Sequence, residues 1–210
     1  MSTADQPVAR SVLFVDFDNI GLSLKNTDPA LANAFARAPQ VWVDALERGE
    51  LIDDDGLLAP RRRFLMKRCY ANPRLIDPYR ANFTWAGFQV VDCPPLTGGG
   101  KNSADIYMVM DILDALEHKT AFDEFFILSS DADFTPVLTR LTAHDRRTVI
   151  YANQVTAQSY KTMCDGLIPE PAFISLVAKT LEAAQRERSR RTASAPVHHP
   201  VQPIRSEEHT

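Results

Sequence analysis

Nothing in these 210 residues is long and apolar enough to cross a bilayer, paired enough to staple a disulfide framework, or patterned like a nucleophile elbow. No uncharged apolar run approaches the roughly 18 residues that a membrane helix requires. The opening Met-Ser-Thr-Ala-Asp-Gln-Pro has neither the basic region nor the apolar stretch of a secretory signal, so a cytoplasmic protein without a membrane partner is expected. Cysteine is scarce: Cys69, Cys93 and Cys164 are odd in number and form no C-x-x-C pair, which fits reduced thiols and argues against structural zinc. The histidines at 118, 144, 198, 199 and 209 show no metal-ligand spacing, and no G-x-S-x-G motif occurs. Basic charge is short as well. The net charge is −4, and the arginine-rich stretch after residue 184 leaves the first 184 residues at −6. So acidic a body is not that of a generic nucleic-acid binder. Phosphate would have to be met by a bound cation or by a local patch, for which Arg61, Arg62, Arg63, Lys67 and Arg68 are candidates.

What the chain does have is aspartate placed where apolar runs end or a helix begins. Asp16-Phe17-Asp18-Asn19 follows Val12-Leu13-Phe14-Val15, and Asp131-Ala132-Asp133 follows closely on Phe125-Phe126-Ile127-Leu128. Asp105 lies one turn into the helix expected after Gly98-Gly99-Gly100-Lys101. Burying an isolated carboxylate costs about several kcal/mol, so such groups end up paired, protonated or on a metal. If the three segments meet at one sheet edge, a divalent cation is the natural counter-charge.

Periodicity supports that convergence. Apolar, β-branched runs predict strands over 11–17, 61–71, 88–93, 124–129 and 147–151. Between them, helices are expected over one or two stretches of 26–60 broken near Pro39, then over 78–86, 104–117 with Ser103 as N-cap, 134–144 and 156–164. Strands alternating with helices imply parallel pairing through right-handed crossovers, hence a three-layer α/β/α sandwich on a mainly parallel five-stranded sheet. The expected organisation is a flexible 1–9, a domain over 10–168, a helix over 169–188 and a disordered tail over 189–210. In such sheets ligands sit at the carboxyl ends of strands, near the reversal of strand order, which is where Asp16, Asp18, Asp131 and Asp133 fall.

Each of these residues also has a purely structural use. Asp133 before Phe134-Thr135-Pro136 suits an N-cap, and Asp105 suits the first turn of a helix. Asp18 can simply begin a loop, and Asn19 can be a turn residue. Asp16 is harder to explain so, because a turn needs no carboxylate behind so apolar a strand. Lys101 sits in Gly-Gly-Gly-Lys-Asn-Ser, which fails as a P-loop: Pro95 stands where the first glycine is required and Asn102 replaces the Ser/Thr after lysine. A lysine presented to a phosphate by a flexible turn and a solvated loop lysine both remain open.

Three segments together resemble one family. Phe14-Val-Asp-Phe-Asp-Asn-Ile20, Lys101-Asn-Ser-Ala-Asp105-Ile-Tyr-Met-Val-Met-Asp111 and Leu128-Ser-Ser-Asp-Ala-Asp-Phe-Thr-Pro136 are similar to the NYN domain, LabA-like branch, of the PIN-like nuclease superfamily, over about 11–165. The resemblance implies a PIN-like α/β/α fold and a Mg²⁺- or Mn²⁺-dependent ribonuclease acting on RNA. It implies that Asp16, Asp105, Asp131 and Asp133 are metal-binding and catalytic and that Asn19 is their polar partner; beside them Asn19, Lys101, Ser129 and Ser130 are the expected substrate contacts. Ser130 stands where many relatives have glycine, and segment 26–60 is longer than the pattern. A homodimer is compatible with the resemblance.

Two other classes stay open. Asp16-Phe17-Asp18 after an apolar strand also fits a haloacid-dehalogenase-like phosphatase, although Asn19-Ile20-Gly21 continues that motif poorly and Lys101-x3-Asp105 is left unexplained. A non-catalytic RNA-binding protein that keeps the acidic pocket is the third reading.

Overall fold

Val12, Leu13, Phe14 and Val15 are wholly buried. Four successive buried residues require a strand covered on both faces, and that strand organises the molecule. The computed structural model describes residues 8–54, 56, 58–95 and 103–193, with side chains to 186. Its strands are β1 (Ala9–Asp16), β2 (Asp53–Asp54), β3 (Arg62–Ala71), β4 (Gln89–Asp92), β5 (Glu124–Leu128), β6 (Arg147–Ala152) and β7 (Gly166–Pro169). They form one sheet in the order β2-β7-β6-β5-β1-β3-β4. Every pairing is parallel except β2 with β7 at one edge.

The helices fill the two outer layers. They are α1 (Phe17–Thr27), α2 (Pro29–Arg37), α3 (Pro39–Glu47), α4 (Pro73–Ile76), α5 (Arg80–Trp85), α6 (Ala104–Leu116), α7 (Thr135–Ala143), α8 (Gln158–Lys161) and α9 (Glu170–Ala193). Alternation along β1 sends Leu13 and Val15 to one face, Val12 and Phe14 to the other. On the first face Phe17, Phe35, Trp42, Phe83, Phe88 and Phe173 form a continuous aromatic cluster that joins α1, α2, α3, α5 and α9. On the second, Met108 and Ile112 of α6 and Leu138 and Leu141 of α7 cover Phe125 and Ile127. The result is a three-layer α/β/α sandwich on a mostly parallel sheet, as expected.

The sheet has seven strands where sequence periodicity predicts five. The two additions are a pair of aspartates at 53–54 and a four-residue Gly-Leu-Ile-Pro, too short or too acidic to signal a strand by composition. They exist because β6 offers its free edge to Gly166–Pro169, whose own edge takes Asp53 and Asp54 antiparallel. The break near Pro39 falls where it is expected, and α1 ahead of it is a helix that the periodicity does not announce. Between β1 and β2 there are three helices, separated before Pro29 and Pro39; Asp28 caps the second by accepting from the Ala30 N–H at 2.8 Å. The helix expected over 78–86 is α5, led into by a 3₁₀ turn at Asp77–Tyr79 with the short α4 ahead of it, and that over 156–164 shrinks to α8. Ser103 occupies the N-cap position of α6 without a side-chain cap bond.

Candidate functional site

Strand order fixes where a ligand crevice opens. From β1 the chain passes to β3 and β4 on one side, then returns to β5, β6 and β7 on the other. Sheets with such a reversal leave a cleft outside the carboxyl ends of the strands flanking it, here β1 and β5. Val15 pairs with Leu128. The next residues of the two strands, Asp16 and Ser129, therefore stand side by side over the cleft.

Asp16 is at once the last residue of β1 and the N-cap of α1. Its Oδ1 accepts from the Asn19 N–H at 3.1 Å, and its Oδ2 receives the Ser129 hydroxyl at 3.4 Å. Only 5 % of the residue is exposed. Desolvation pushes its carboxyl up to about 7, the Asn19 N–H resists that rise, and the nearby carboxylates of Asp105 and Asp18 add to it. Among the described residues no lysine or arginine forms an ion pair with Asp16. A buried carboxyl facing other carboxylates without a basic partner is a marker of function rather than of stability.

The other predicted residues gather around it to different degrees. Asp105, in the first turn of α6, is half-buried and close enough to raise the Asp16 pKa. Asp131 caps the 3₁₀ turn Ala132–Phe134, its Oδ1 accepting from the Asp133 N–H at 2.9 Å. It is tied to Asp16 through Ser129, whose Oγ also accepts the Asp131 N–H at 3.3 Å. Asp133 lies exposed at the rim. Asn19 clamps the strand-five loop: its Oδ1 accepts both the Ser130 N–H at 3.1 Å and the Ser130 hydroxyl at 3.0 Å. Lys101 and the glycines before it lie outside the described residues.

The donor set can be tested against a divalent cation. All the acidic donors are oxygens, suited to a hard ion, and the Asp16 carboxyl has a charge problem that a cation would relieve. Among the described residues, however, no three acidic, histidine or cysteine side chains stand together as a metal-holding group. The arrangement fits an ion held by one or two carboxylates, with its remaining positions left to water or substrate, and not an all-protein cage.

Some polar residues here escape a motif search. Asn153, just beyond β6, donates through Nδ2 to the Ser23 hydroxyl at 3.0 Å and to Ser130 Oγ at 3.4 Å. Ser23 donates in turn to Glu170 Oε1 at 2.6 Å, which also accepts the Tyr151 hydroxyl at 2.9 Å. Asn153 was findable by the strand-end rule that singles out Asp16; Ser23 and Glu170 carry no such signal. Asp18 begins no loop: it sits in the first turn of α1, and both its oxygens accept the Asn72 N–H at 3.2 Å, linking α1 to the end of β3. The basic run around 61–68 is not one outward patch. Arg62 is buried on Glu124, Arg68 pairs with Asp111, and the Lys67 ammonium lies 5.9 Å from the Phe88 ring centroid. The thiols are poor nucleophiles, since burial raises Cys69 well above the ordinary range and Cys93 and Cys164 to about 11.

Comparison with known proteins places these features in a wider setting. The family model described as NYN domain matches residues 10–176. The crystal structure of a protein of unknown function from Vibrio parahaemolyticus RIMD 2210633 is similar, with a TM-score of 0.57 and 18 % identity, over 80 % of this chain and 96 % of that one. Among curated proteins none matches. Among the described residues no helix is long and apolar enough to cross a membrane.

Proposed function

The chain belongs to the NYN domain family, part of the PIN-like nuclease superfamily, and from that premise we propose that it is a Mg²⁺- or Mn²⁺-dependent ribonuclease of the LabA-like branch. Its substrate is RNA, and hydrolysis of the phosphodiester bond takes place over the carboxyl ends of β1 and β5. The observation that carries this reading is Asp16: a carboxyl 5 % exposed at the topological switch, beside Asp105 and Asp18, with no basic partner among the described residues.

Asp16, Asp105 and Asp131 are the residues of which one or two at a time would hold a cation, with Asp133 at the rim; once bound, such an ion supplies Lewis-acid chemistry to water and phosphate. The chain's own groups do the rest. Asn19 and Ser129 fix the Asp16 carboxylate through its two oxygens, so its orientation does not depend on the substrate. Asn19 also holds the backbone and side chain of Ser130, which keeps the loop that carries Ser129 and Asp131 facing the cleft. Lys101 supplies a donor for phosphate oxygens, and the Ser129 and Ser130 hydroxyls, which donate to Asp16 and Asn19, would turn to a phosphate only by exchanging those partners. With its carboxyl raised to about 7, Asp16 exchanges a proton near neutrality unless a cation holds it ionised.

The test is cleavage of single-stranded RNA with Mn²⁺ or Mg²⁺ by wild type, Asp16→Asn and Asp131→Asn. Both variants should lose at least about 100-fold in rate, the scale of removing one essential group from a reacting centre. Wild-type-like cleavage by both would refute the assignment. RNA retention without any cleavage by the wild type would instead favour the non-catalytic reading, and a trapped aspartyl-phosphate the phosphatase reading.

A further inference from the structure

A cavity of about 340 Å³ opens beside the acidic cleft, between α1, α2 and the segment that follows β3. Asp18 borders it, and the same carboxylate acts on Asp16. The cavity therefore flanks the acidic centre, its Asp18 wall two residues along α1 from Asp16. Its walls are apolar, including Phe17, Leu22, Ala32 and Leu75, and two of these leucines are more than half exposed (Leu22 61 %, Leu75 52 %). No core-packing role accounts for large aliphatic side chains held open to water around a recess of this size.

The polar groups are few and placed at its edges. Asn33 donates to the Tyr79 hydroxyl at 2.9 Å, which leaves that hydroxyl's own proton for an outside acceptor. Asp18 borders the recess with both oxygens already accepting the Asn72 N–H. Lys25 lines the opening, and the Arg37 guanidinium lies 5.8 Å from the Tyr79 ring centroid. These cations stand out on a body carrying −6. Apolar walls, one hydroxyl donor and a cationic mouth suit a flat heterocycle joined to a phosphate chain.

We infer that this cavity receives an unstacked nucleobase of single-stranded RNA, one that flanks the phosphodiester held over Asp16. The inference rests on the proposed function of the acidic centre and adds to it a substrate class: RNA with an unpaired base next to the cleavage point. Duplex RNA, whose bases stay stacked, cannot fill the cavity.

Gly21 gives a clean way to close it. It lines the cavity in mid-helix, and a Cβ added there meets nothing within 4 Å. Gly21→Leu fills the space while replacing a poor helix former with a good one, so the thermal midpoint should hold or rise. Binding is measured by fluorescence anisotropy in metal-free buffer, with a labelled single-stranded oligoribonucleotide and with versions carrying one abasic position. In the wild type, the abasic position that aligns with the cavity should weaken binding about tenfold, the scale of one base–side-chain stack. Gly21→Leu should weaken binding of intact RNA to a similar extent and be indifferent to the abasic position. Equal binding by wild type and Gly21→Leu, independent additive losses, or no binding by the wild type each overturn the inference. The two readings fail separately: base-dependent binding without cleavage removes the nuclease and keeps the pocket, whereas cleavage unaffected by Gly21→Leu does the reverse.

Discussion

Two carboxylates are buried at opposite ends of one sheet, and the chain treats them in opposite ways. Glu124 opens β5, Asp16 closes β1, and each is no more than 5 % exposed. Glu124 is fully served: Oε2 accepts Arg62 Nε at 2.8 Å and the Ser11 hydroxyl at 2.8 Å, and Oε1 accepts the Ala59 N–H at 3.2 Å. Arg62 spends its other donors on the carbonyls of Leu46 and Ala59, with its guanidinium 5.2 Å from the Phe126 ring centroid. Asp16 has one backbone N–H and one long hydroxyl contact, and the charged groups that act on it among the described residues are the carboxylates of Asp105 and Asp18. The amino end of the sheet is a closed polar knot that pins three strands in register. Among the described residues the carboxyl end is left without a basic partner, as a site built to receive a cation would be.

The largest expected effect lies at the closed end. Arg62→Ala strands Glu124 in the core with its cation removed, and loss of one partner of a buried pair costs about 3–5 kcal/mol. Chemical denaturation should show that loss with the fold otherwise retained. A change under about 1 kcal/mol would mean that the knot is not what it looks like and would dissolve the contrast with Asp16.

At the open end the sign reverses. An aspartate ordinarily loses its proton near 3.8, and Asp16 loses it near 7. Between those values the folded state keeps a proton that the unfolded state has released, so stability falls as pH rises and the penalty is complete above about pH 7. At about 1.4 kcal/mol per pH unit, its ceiling is about 4 kcal/mol. Asp16→Asn retains an oxygen for the Asn19 N–H but never ionises. In metal-free buffer at pH 8 this variant should be about 2–4 kcal/mol more stable than wild type, and the two should converge near pH 4. Destabilisation at pH 8 would show that the carboxylate is satisfied as it stands.

How much of this could be read from the chain differs between the two ends. Four successive apolar residues at 12–15 announce a doubly covered strand, and Asp16 directly after them announces a polar group at its carboxyl end; both follow from local pattern. Glu124 and Arg62 were invisible as a pair, because residues 62 positions apart meet only through strand register, and Arg62 read as part of a basic surface run. β2 and β7 were hidden for a related reason, since each is specified by the edge it joins and not by its own composition. Asn153 was within reach of the strand-end rule, while Ser23 and Glu170 depend on how α1 and α9 pack.

A cation should narrow the gap between the ends. A ligand at 100 times its dissociation constant stabilises by about 2.7 kcal/mol if it binds only the folded state. Titrating Mn²⁺ at pH 8 should raise the thermal midpoint of the wild type, leave Asp16→Asn unmoved and shift Asp131→Asn less than wild type. Equal shifts in all three would put the ion elsewhere on the acidic surface.

The smallest expected effect tests whether the open end is organised from a distance. Asn153 bridges Ser23 on α1 and Ser130 on the strand-five loop with contacts of 3.0 and 3.4 Å, partly exposed, so Asn153→Ala should cost only about 0.5–1 kcal/mol. Ser130 keeps its bonds to Asn19, so the loop stays folded. What changes is the direction of the Ser130 hydroxyl, released from its second anchor. If that hydroxyl helps to position a phosphate, kcat for RNA cleavage should fall about tenfold with KM little changed, and Asn153→Gln should not restore it because the longer side chain cannot meet both hydroxyls at once. A KM effect alone, or rescue by glutamine, would make the bridge a packing detail. A kcat loss beside a negligible stability loss would mark the carboxyl end as the place where small geometric errors matter, the opposite of the amino end, where Arg62 and Glu124 act through stability alone.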